Sequence, residues 1–199
     1  MAIELPARPG IRNASPGLLD WGGRLVPILG GPVQNIQRLG TRFSLEFSLP
    51  PVRNEPYGRE WAGKLLQAKL EGAIAPWVQD GFNPAGAGSI VVDGADQTGM
   101  TLAVTGGTRG YAIAYGQFFR LVHDGRRDLH MVTEAVRLDA DGAAELAILP
   151  MLRVIPDDGD TLEFSAVKIQ GSLVGDERRW KVTDEPYIDF GPLRIDEDE

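Results

Sequence analysis

Hydrophobic and polar residues alternate along residues 40–51, GTRFSLEFSLPP, with the two-residue period of a half-buried β-strand. The two faces of this strand are formed by Phe43, Leu45, Phe47 and Leu49 on one side and by Arg42, Ser44, Glu46 and Ser48 on the other. Pro50 and Pro51 end the strand, because proline cannot donate to a ladder of backbone hydrogen bonds.

A single segment has the spacing of an amphipathic helix, residues 53–73. Its apolar face is formed by Trp61, Leu65, Leu66 and Leu70. Asn54 is a residue type that caps helices, Pro56 suits a first turn, and Gly72 suits the end. The pattern therefore predicts an α-helix over residues 55–72.

From about residue 87 onward the pattern is that of short strands separated by turns. The predicted strands lie in SIVVDG, GMTLAVTGG, YAIAYGQFFRLVHDG, DLHMVTEAVRLDADG, AAELAILP, DTLEFSAVKIQGSLVG and RWKVTDEPYIDF. Asp-Gly, a dipeptide that tolerates the positive φ of tight hairpin turns, occurs at 80–81, 93–94, 124–125, 141–142 and 158–159. The sequence thus predicts a mainly β fold, an antiparallel sandwich or barrel-like domain with one inserted helix.

The length of 199 residues is sufficient for one domain with a substantial core. We expect an irregular N-terminal arm over residues 1–23, which are rich in proline and glycine and show no periodicity. A single β-rich domain is then expected over 24–192, and the acidic residues 193–199 are expected to form a tail.

The amino-acid composition excludes several kinds of functional site. The chain has no cysteine, so disulfides, thiolate zinc sites and cysteine nucleophiles are excluded. Its net charge of −8 argues against a nucleic-acid-binding surface, which needs clustered positive charge. No apolar run is long enough to predict a membrane span, and the first residues have no signal-peptide pattern.

Residues 139–142, Asp-Ala-Asp-Gly, raise the question of a calcium loop. An EF-hand needs alternating oxygen ligands, a glycine at the sixth position and a glutamate at the twelfth. Here Gly142 comes too early, and Glu145 does not have the closing spacing. We therefore predict a hairpin turn between strands at 128–138 and 143–149.

The two histidines, His123 and His130, flank a polar turn and could approach each other across a hairpin. With Asp124 or Asp128 they could form part of a metal site, but two histidines are too few for a closed zinc site, and we interpret them as polar residues at strand ends. The glycine-rich GGTRG at 106–110 lacks the lysine and the following helix of a phosphate loop. No Gly-x-Ser-x-Gly nucleophile elbow is present, so no catalytic, metal or cofactor residues are predicted and the protein is expected not to be an enzyme.

Residues 110–153 resemble a recurring stretch in distal-tail and tail-tip proteins of long-tailed, siphovirus-like bacteriophages and related tail-like particles. The resemblance rests on Gly116, Phe118-Phe119, residues 130–133, residues 139–142 and residues 150–153. The upstream strand RFSLEFSLPP and the Trp61 helix fit the same proteins, so that the likeness covers roughly residues 40–175. It departs from that pattern at Gln117, where the family has an acidic residue.

The resemblance implies a structural virion protein that forms a homo-oligomeric ring, with six-fold symmetry, between the tail tube and the tail-tip or baseplate complex. Its partners would be other copies of itself, the tube protein, and the hub and tape-measure proteins, after assembly in the bacterial cytoplasm. The ring would leave a channel for DNA without specific nucleic-acid binding. Inter-subunit contacts are expected at Trp21, Arg42, Phe43, Phe47 and Phe118.

Two alternatives remain open from the residues themselves. A β-sandwich that binds carbohydrate on a cell surface would use the four tryptophans at 21, 61, 77 and 180 as a stacking platform. A hydrolase with two catalytic carboxylates is a further alternative, since the chain has 28 acidic residues, although no pair among them is distinguished.

Overall fold

A computed structural model describes residues 2–79, 81–175, 179–182 and 186–198. The chain is divided between two compact units, and it passes from one to the other four times. Unit 1 comprises Met1–Gly17, Phe43–Val78 and Lys168–Asp198, and unit 2 comprises Leu18–Arg42 and Gln79–Val167. This division differs from the single domain expected over 24–192. Segments of the two units alternate along the sequence, so that neither unit is one continuous stretch of chain.

The first ten strands are β1 Ile3–Glu4, β2 Arg12–Leu19, β3 Gly23–Leu25, β4 Gln34–Ile36, β5 Arg42–Ser48, β6 Val52–Arg53, β7 Ala73–Pro76, β8 Gly88–Val92, β9 Thr101–Gly107 and β10 Ala112–Ile113. The remaining strands are β11 Phe118–His123, β12 Arg126–Val132, β13 Val136–Arg137, β14 Ala144–Leu149, β15 Thr161–Glu163, β16 Lys168–Leu173, β17 Lys181–Val182, β18 Tyr187–Asp189 and β19 Leu193–Glu197. One α-helix, α1, spans Arg59–Glu71, and a single irregular helical turn, Asn54–Gly58, precedes it. The predicted mainly β fold with one helix is confirmed.

The main sheet of unit 1 has the order β1-β7-β16-β19-β5-β2. Strand β1 runs parallel to β7, whereas the pairs β7/β16, β16/β19 and β19/β5 are antiparallel. The apolar face predicted at β5 is confirmed, since Phe43, Leu45, Phe47 and Leu49 are all buried, whereas Ser44 on the opposite face is also buried. A three-stranded sheet, β17-β18-β6, also belongs to this unit.

Helix α1 begins later than its sequence suggests. Its N-cap is Gly58, and Asn54, the predicted cap, instead donates its backbone N–H to the carbonyl of Pro186 at 2.9 Å. The predicted end is confirmed, because Gly72 has φ of +87° and its N–H closes the last turn on Ala68 at 2.9 Å.

Only part of the predicted apolar face of α1 enters the core of unit 1. Trp61 and Leu65 are buried, whereas Leu66 is 48% exposed and Leu70 is 88% exposed. The indole N–H of Trp61 donates to the carbonyl of Arg8 at 3.0 Å, so the helix is fixed to the N-terminal segment. The outer half of the helix therefore presents leucine to solvent.

Unit 2 contains a closed six-stranded antiparallel barrel in the order β11-β12-β14-β9-β8-β15. Its interior is filled by large apolar side chains, among them Ile90, Val104, Phe119, Leu146 and Ile148. Two small antiparallel sheets, β3-β4 and β10-β13, belong to the same unit.

The four Asp-Gly dipeptides at 93–94, 124–125, 141–142 and 158–159 lie in turns or bends, whereas Asp80 of the fifth lies outside the described residues. The glycines of all five have positive φ: Gly81, Gly94, Gly125, Gly142 and Gly159. The tightest case joins β11 to β12, where Asp124 and Gly125 have φ of +47° and +78° between the paired residues His123 and Arg126. Two residues with positive φ are the geometry that a two-residue hairpin requires, and glycine adopts it without steric cost.

The described parts of residues 1–23 and 193–199, residues 2–23 and 193–198, are more regular than expected. Residues 1–23 include β2, which lies next to β5 at the edge of the main sheet. The acidic end is β19, a strand between β16 and β5 whose Leu193 and Ile195 are buried. The Glu197 carboxylate, 2% exposed, accepts the backbone N–H of Phe43 at 2.9 Å. Burial alternates along β19, so that Leu193 and Ile195 lie on one buried face of this acidic strand.

Candidate functional site

A hairpin of unit 2 exposes most of its apolar side chains. We define the apolar arm as residues 21–39, which contain β3 and β4 joined by the loop 26–33. The strands pair antiparallel over only three residue pairs, from Gly23 and Ile36 at the base to Leu25 and Gln34. A two-stranded hairpin on its own is marginally stable in water, so such an arm gains stability from a surface that covers it.

The arm holds eight of the seventeen exposed large hydrophobic side chains in the described part of the chain. These eight are Trp21, Leu25, Val26, Ile28, Leu29, Val33, Ile36 and Leu39. At the tip, Ile28 is 99% exposed and Leu29 is 98% exposed. Single exposed apolar residues are normal on a protein surface, but a set of them in one hairpin is typical of an interaction site.

The base of the arm is held by polar contacts. A carboxylate oxygen of Asp20 accepts the backbone N–H of Gly22 at 2.7 Å and the hydroxyl of Thr41 at 3.2 Å. The guanidinium of Arg42 lies over the ring of Trp21, 5.7 Å from its centroid, in a cation–π arrangement. These contacts hold the arm at its base, where residues 20–22 lie beside residues 41–42.

A cleft of about 420 Å³ lies in unit 2 beside the base of the arm. The side of the cleft formed by the arm includes Arg24 and Arg38, and the other side is formed by Leu149, Pro150 and Met151. The arm is locally basic: residues 21–39 contain two arginines and no acidic residue, and Asp20 directly precedes them, in a chain whose net charge is −8. An acidic surface will therefore attract this element.

The five residues for which inter-subunit contacts were expected differ in solvent exposure. Trp21 is 55% exposed, and Arg42 and Phe118 are partly exposed. Phe43 and Phe47 are only 5% and 1% exposed, and Phe43 meets Trp77 edge-to-face at 5.5 Å. These two phenylalanines belong to the core of unit 1, so the expected contact now rests on the other three residues.

The backbone around Phe118 is held by hydrogen bonds to two glutamine side chains. Its N–H donates to the side-chain carbonyl of Gln79. The preceding residue, Gln117, is 2% exposed, and its side-chain carbonyl accepts the N–H of Ala114 at 3.0 Å. Gln117 thus closes the turn before β11 with its amide oxygen, as the oxygen of an acidic residue would.

The turn at 139–142 is closed by its own aspartate. One carboxylate oxygen of Asp139 accepts the backbone N–H groups of Asp141 and Ala143, both at 2.9 Å. These hydrogen bonds to the charged form lower the pKa of Asp139. The prediction of a turn is confirmed, although the strand expected over 128–138 is interrupted after Val132 and resumes as β13.

The two histidines do not lie opposite each other in the hairpin. Along the β11–β12 ladder His123 pairs with Arg126 at the turn, whereas His130 pairs with Phe119. His123 hydrogen-bonds Asp160 at 2.7 Å, and this bond raises the pKa of the imidazole.

The interpretation of both histidines as polar residues at strand ends is wrong for His130, which lies within β12 and is fully buried. Burial lowers the pKa of His130 to about 4. Its Nδ1–H donates to the carbonyl of Pro150 at 3.0 Å.

No group of three or more His, Asp or Glu side chains is placed to hold a metal ion within the described ranges. No described helix has both the length and the apolar character of a membrane span.

The four tryptophans are distributed over both units. Trp61 and Trp77 are buried in unit 1, where Trp180 packs near Phe190 with ring centroids 6.2 Å apart. Trp21 is in the apolar arm of unit 2.

Sequence reasoning did not identify the tip of the arm, because Ile28 and Leu29 fit neither a helical nor a strand period. The available signal was an apolar run, VPILGGPV, bounded by glycine and proline and without any acidic residue nearby. Comparison of the chain with protein-family models gave no match, and comparison with curated proteins gave no significant similarity.

Proposed function

We propose that this protein is a structural subunit of a phage tail or related tail-like particle, in which copies of the chain form a ring at the distal end of the tail. The observation that carries the proposal is the apolar arm, whose tip residues Ile28 and Leu29 are almost fully exposed. A projecting element of this composition is typical of a subunit that is completed by a neighbour.

The likeness of residues 110–153 to tail proteins supports the same role. Some of its pieces contact one another in unit 2: His130 hydrogen-bonds the carbonyl of Pro150 at 3.0 Å, and the N–H of Gly116 donates to the carbonyl of Val132 at 2.8 Å. In the proposed role the ring joins the tail tube to the tail-tip complex and leaves a channel for DNA. Its partners are the tube, hub and tape-measure proteins, and its location is the virion tail.

The charge of the chain is compatible with a channel. With a net charge of −8, acidic side chains on the wall of a lumen would repel DNA and let it pass without being held. In this proposal the lumen is lined by acidic residues. A ring whose lumen is lined mainly by arginine and lysine would contradict that part of the proposal.

The first experiment is the solution mass of the purified protein over a concentration series, by light scattering, followed by electron microscopy of any large species. The proposal predicts closed rings with a hole wide enough for a DNA duplex, formed by the protein alone or on purified tail tubes. A chain that remains monomeric in both settings contradicts the proposal. If that monomer also binds glycans on an array, the carbohydrate-binding alternative replaces it.

A further inference from the structure

We propose that the cleft beside the base of the apolar arm binds a small organic anion, a molecule with a phosphate or carboxylate group and an apolar body. Arg24 and Arg38 hold the anionic group, and the opposite side of the cleft, residues 149–151, contacts the apolar body. This inference goes beyond the proposed ring-forming function and does not depend on it, because both sides of the cleft belong to unit 2 of one copy.

The cleft has the volume and the mixed lining of a small-molecule site. Its volume is about 420 Å³, and such sites typically have about 300–1,000 Å³. The arm supplies charged and amide side chains, whereas the end of β14 and the two residues after it supply apolar ones. A site of this kind gains affinity from its apolar surface and fixes the ligand's orientation by a few polar groups.

The arm side of the cleft carries two arginines. Arg24 lies in β3, and Arg38 follows the end of β4 by two residues. A Cβ built on Gly23 would lie 3.7 Å from Nη2 of Arg38, so this guanidinium lies beside the β3 residue that precedes Arg24. Asn35, which pairs with Arg24 in the hairpin, and Gln37 also line the cleft and add amide N–H donors.

Neither arginine of the cleft is neutralised within the protein. Among the described residues, no carboxylate forms an ion pair with either side chain. The lining contains one carboxylate, Asp20, which already accepts the N–H of Gly22 at 2.7 Å and the hydroxyl of Thr41 at 3.2 Å. Two arginines and one aspartate leave the lining with a net positive charge. Because a guanidinium group donates paired hydrogen bonds to the oxygens of a phosphate or carboxylate, an oxyanion is the matching ligand group.

The opposite side of the cleft favours a ligand with an apolar body. Leu149, Pro150 and Met151 carry no charge, and the carbonyl of Pro150 already accepts a hydrogen bond from His130 at 3.0 Å. An inorganic anion would leave this side in contact with water, whereas an apolar body would cover it and gain free energy by burial. Methionine sulfur also makes favourable contacts with aromatic rings, so an aryl phosphate or an aryl carboxylate is a suitable probe.

Isothermal titration calorimetry of the full chain at low ionic strength tests the ligand class with four probes: phenyl phosphate, benzoate, inorganic phosphate and benzyl alcohol. We expect one phenyl phosphate or benzoate per chain, with an affinity that falls as salt is added. Inorganic phosphate should bind about tenfold more weakly, because it buries no apolar surface, and benzyl alcohol should not bind. The tighter of the two aryl anions identifies phosphate or carboxylate as the preferred group.

Matched variants locate the site. Arg24→Gln and Arg38→Gln should each weaken binding of the preferred aryl anion by about tenfold, because each removes charge-assisted hydrogen bonds. Both arginines are exposed, so the melting temperature without ligand should match that of the wild type. Arg109→Gln changes an exposed arginine of unit 2 outside the cleft and should leave the affinity unchanged. Met151→Gln, which keeps the length of the side chain, should weaken the aryl anion but not inorganic phosphate.

Three results would overturn the cleft as an anion site. These are no binding of either aryl anion, equal affinity for phenyl phosphate and inorganic phosphate, and equal weakening by Arg109→Gln and the two cleft variants, which would show general electrostatic attraction only. Light scattering of the same samples scores ring formation separately. Anion binding without rings supports the cleft and contradicts the proposed function, whereas rings without anion binding overturn the cleft and leave that function standing.

Discussion

Asp128 and Arg153 form an ion pair inside unit 2, with Arg153 Nη2 2.7 Å from Asp128 Oδ1 and the side chains 6% and 5% exposed. Arg126 Nε also donates to the same carboxylate oxygen at 3.0 Å. The pair connects β12 to the segment that follows β14, and the contact of His130 with the Pro150 carbonyl connects the same two regions.

Removal of one member of the pair should be strongly destabilising. In Asp128→Leu the buried guanidinium of Arg153 loses its carboxylate, and the free energy of unfolding should fall by about 3–5 kcal/mol. Chemical denaturation monitored by circular dichroism measures this change. The double variant Asp128→Leu with Arg153→Met should recover most of the loss. Equal losses in the single and double variants would show that the ion pair does not determine stability here.

His130 should make the fold sensitive to acid. Its pKa is about 4 in the folded protein and about 6.5 in an unfolded chain, so unfolding takes up a proton between these values. The contribution of neutral His130 to the free energy of unfolding is fully present above about pH 6.5. It is lost as pH falls toward 4, by about 3 kcal/mol in total. In His130→Phe this part of the pH dependence should disappear. The comparison requires unfolding curves of both proteins from pH 4 to 8.

His123 provides the control of opposite sign. Its pKa is raised by the hydrogen bond to Asp160, so its contribution is present below the unfolded pKa and is lost as pH rises through the folded value. His123→Asn should therefore lose stability at acidic pH relative to wild type, and the difference should shrink toward alkaline pH. A loss that grows with pH would contradict the assigned partner.

The turn at Asp139 and Gly142 should depend on backbone geometry and not on a metal. Gly142 has φ of +76°, and a Cβ there would lie 2.0 Å from the carbonyl oxygen of Gly107. Gly142→Ala should cost at least about 2 kcal/mol. Asp139→Ala should lower the melting temperature because two backbone N–H groups lose their acceptor, whereas Asp141→Ala should have little effect. Added calcium should not change the wild-type melting temperature. A rise on adding calcium would support a metal loop.

The acidic C-terminus should be indispensable for folding. Truncation after Pro192 deletes β19, which lies between β16 and β5 in the sheet of unit 1 and buries Leu193 and Ile195. Both neighbouring strands would then expose unpaired backbone groups. We expect loss of cooperative unfolding in the truncated chain. Glu197→Gln, which keeps an oxygen to accept the N–H of Phe43, serves as the mild control. A soluble, cooperatively folded truncation would show that the strand is dispensable.

The sequence by itself determined part of the local structure. The apolar face at residues 43–49, the turn at 139–142 and the end of α1 at Gly72 all arise from interactions within a few residues, and each was predicted correctly, whereas the start of α1 and the strand expected over 128–138 were not. Backbone conformation at a turn depends on the residue present, and a two-residue period requires one buried face wherever the strand is placed.

Only the tertiary structure decided what covers each face. The period of α1 could not show that Leu65 is buried while Leu70 remains exposed, because periodicity defines a face but not its partner. The strands of the two units have the same local pattern, so their assignment depends on pairings between distant residues, as between Ile195 and Leu45. The acidic end appeared to be a tail because charge dominates its composition, yet two alternate apolar side chains gain enough by burial to make it a central strand.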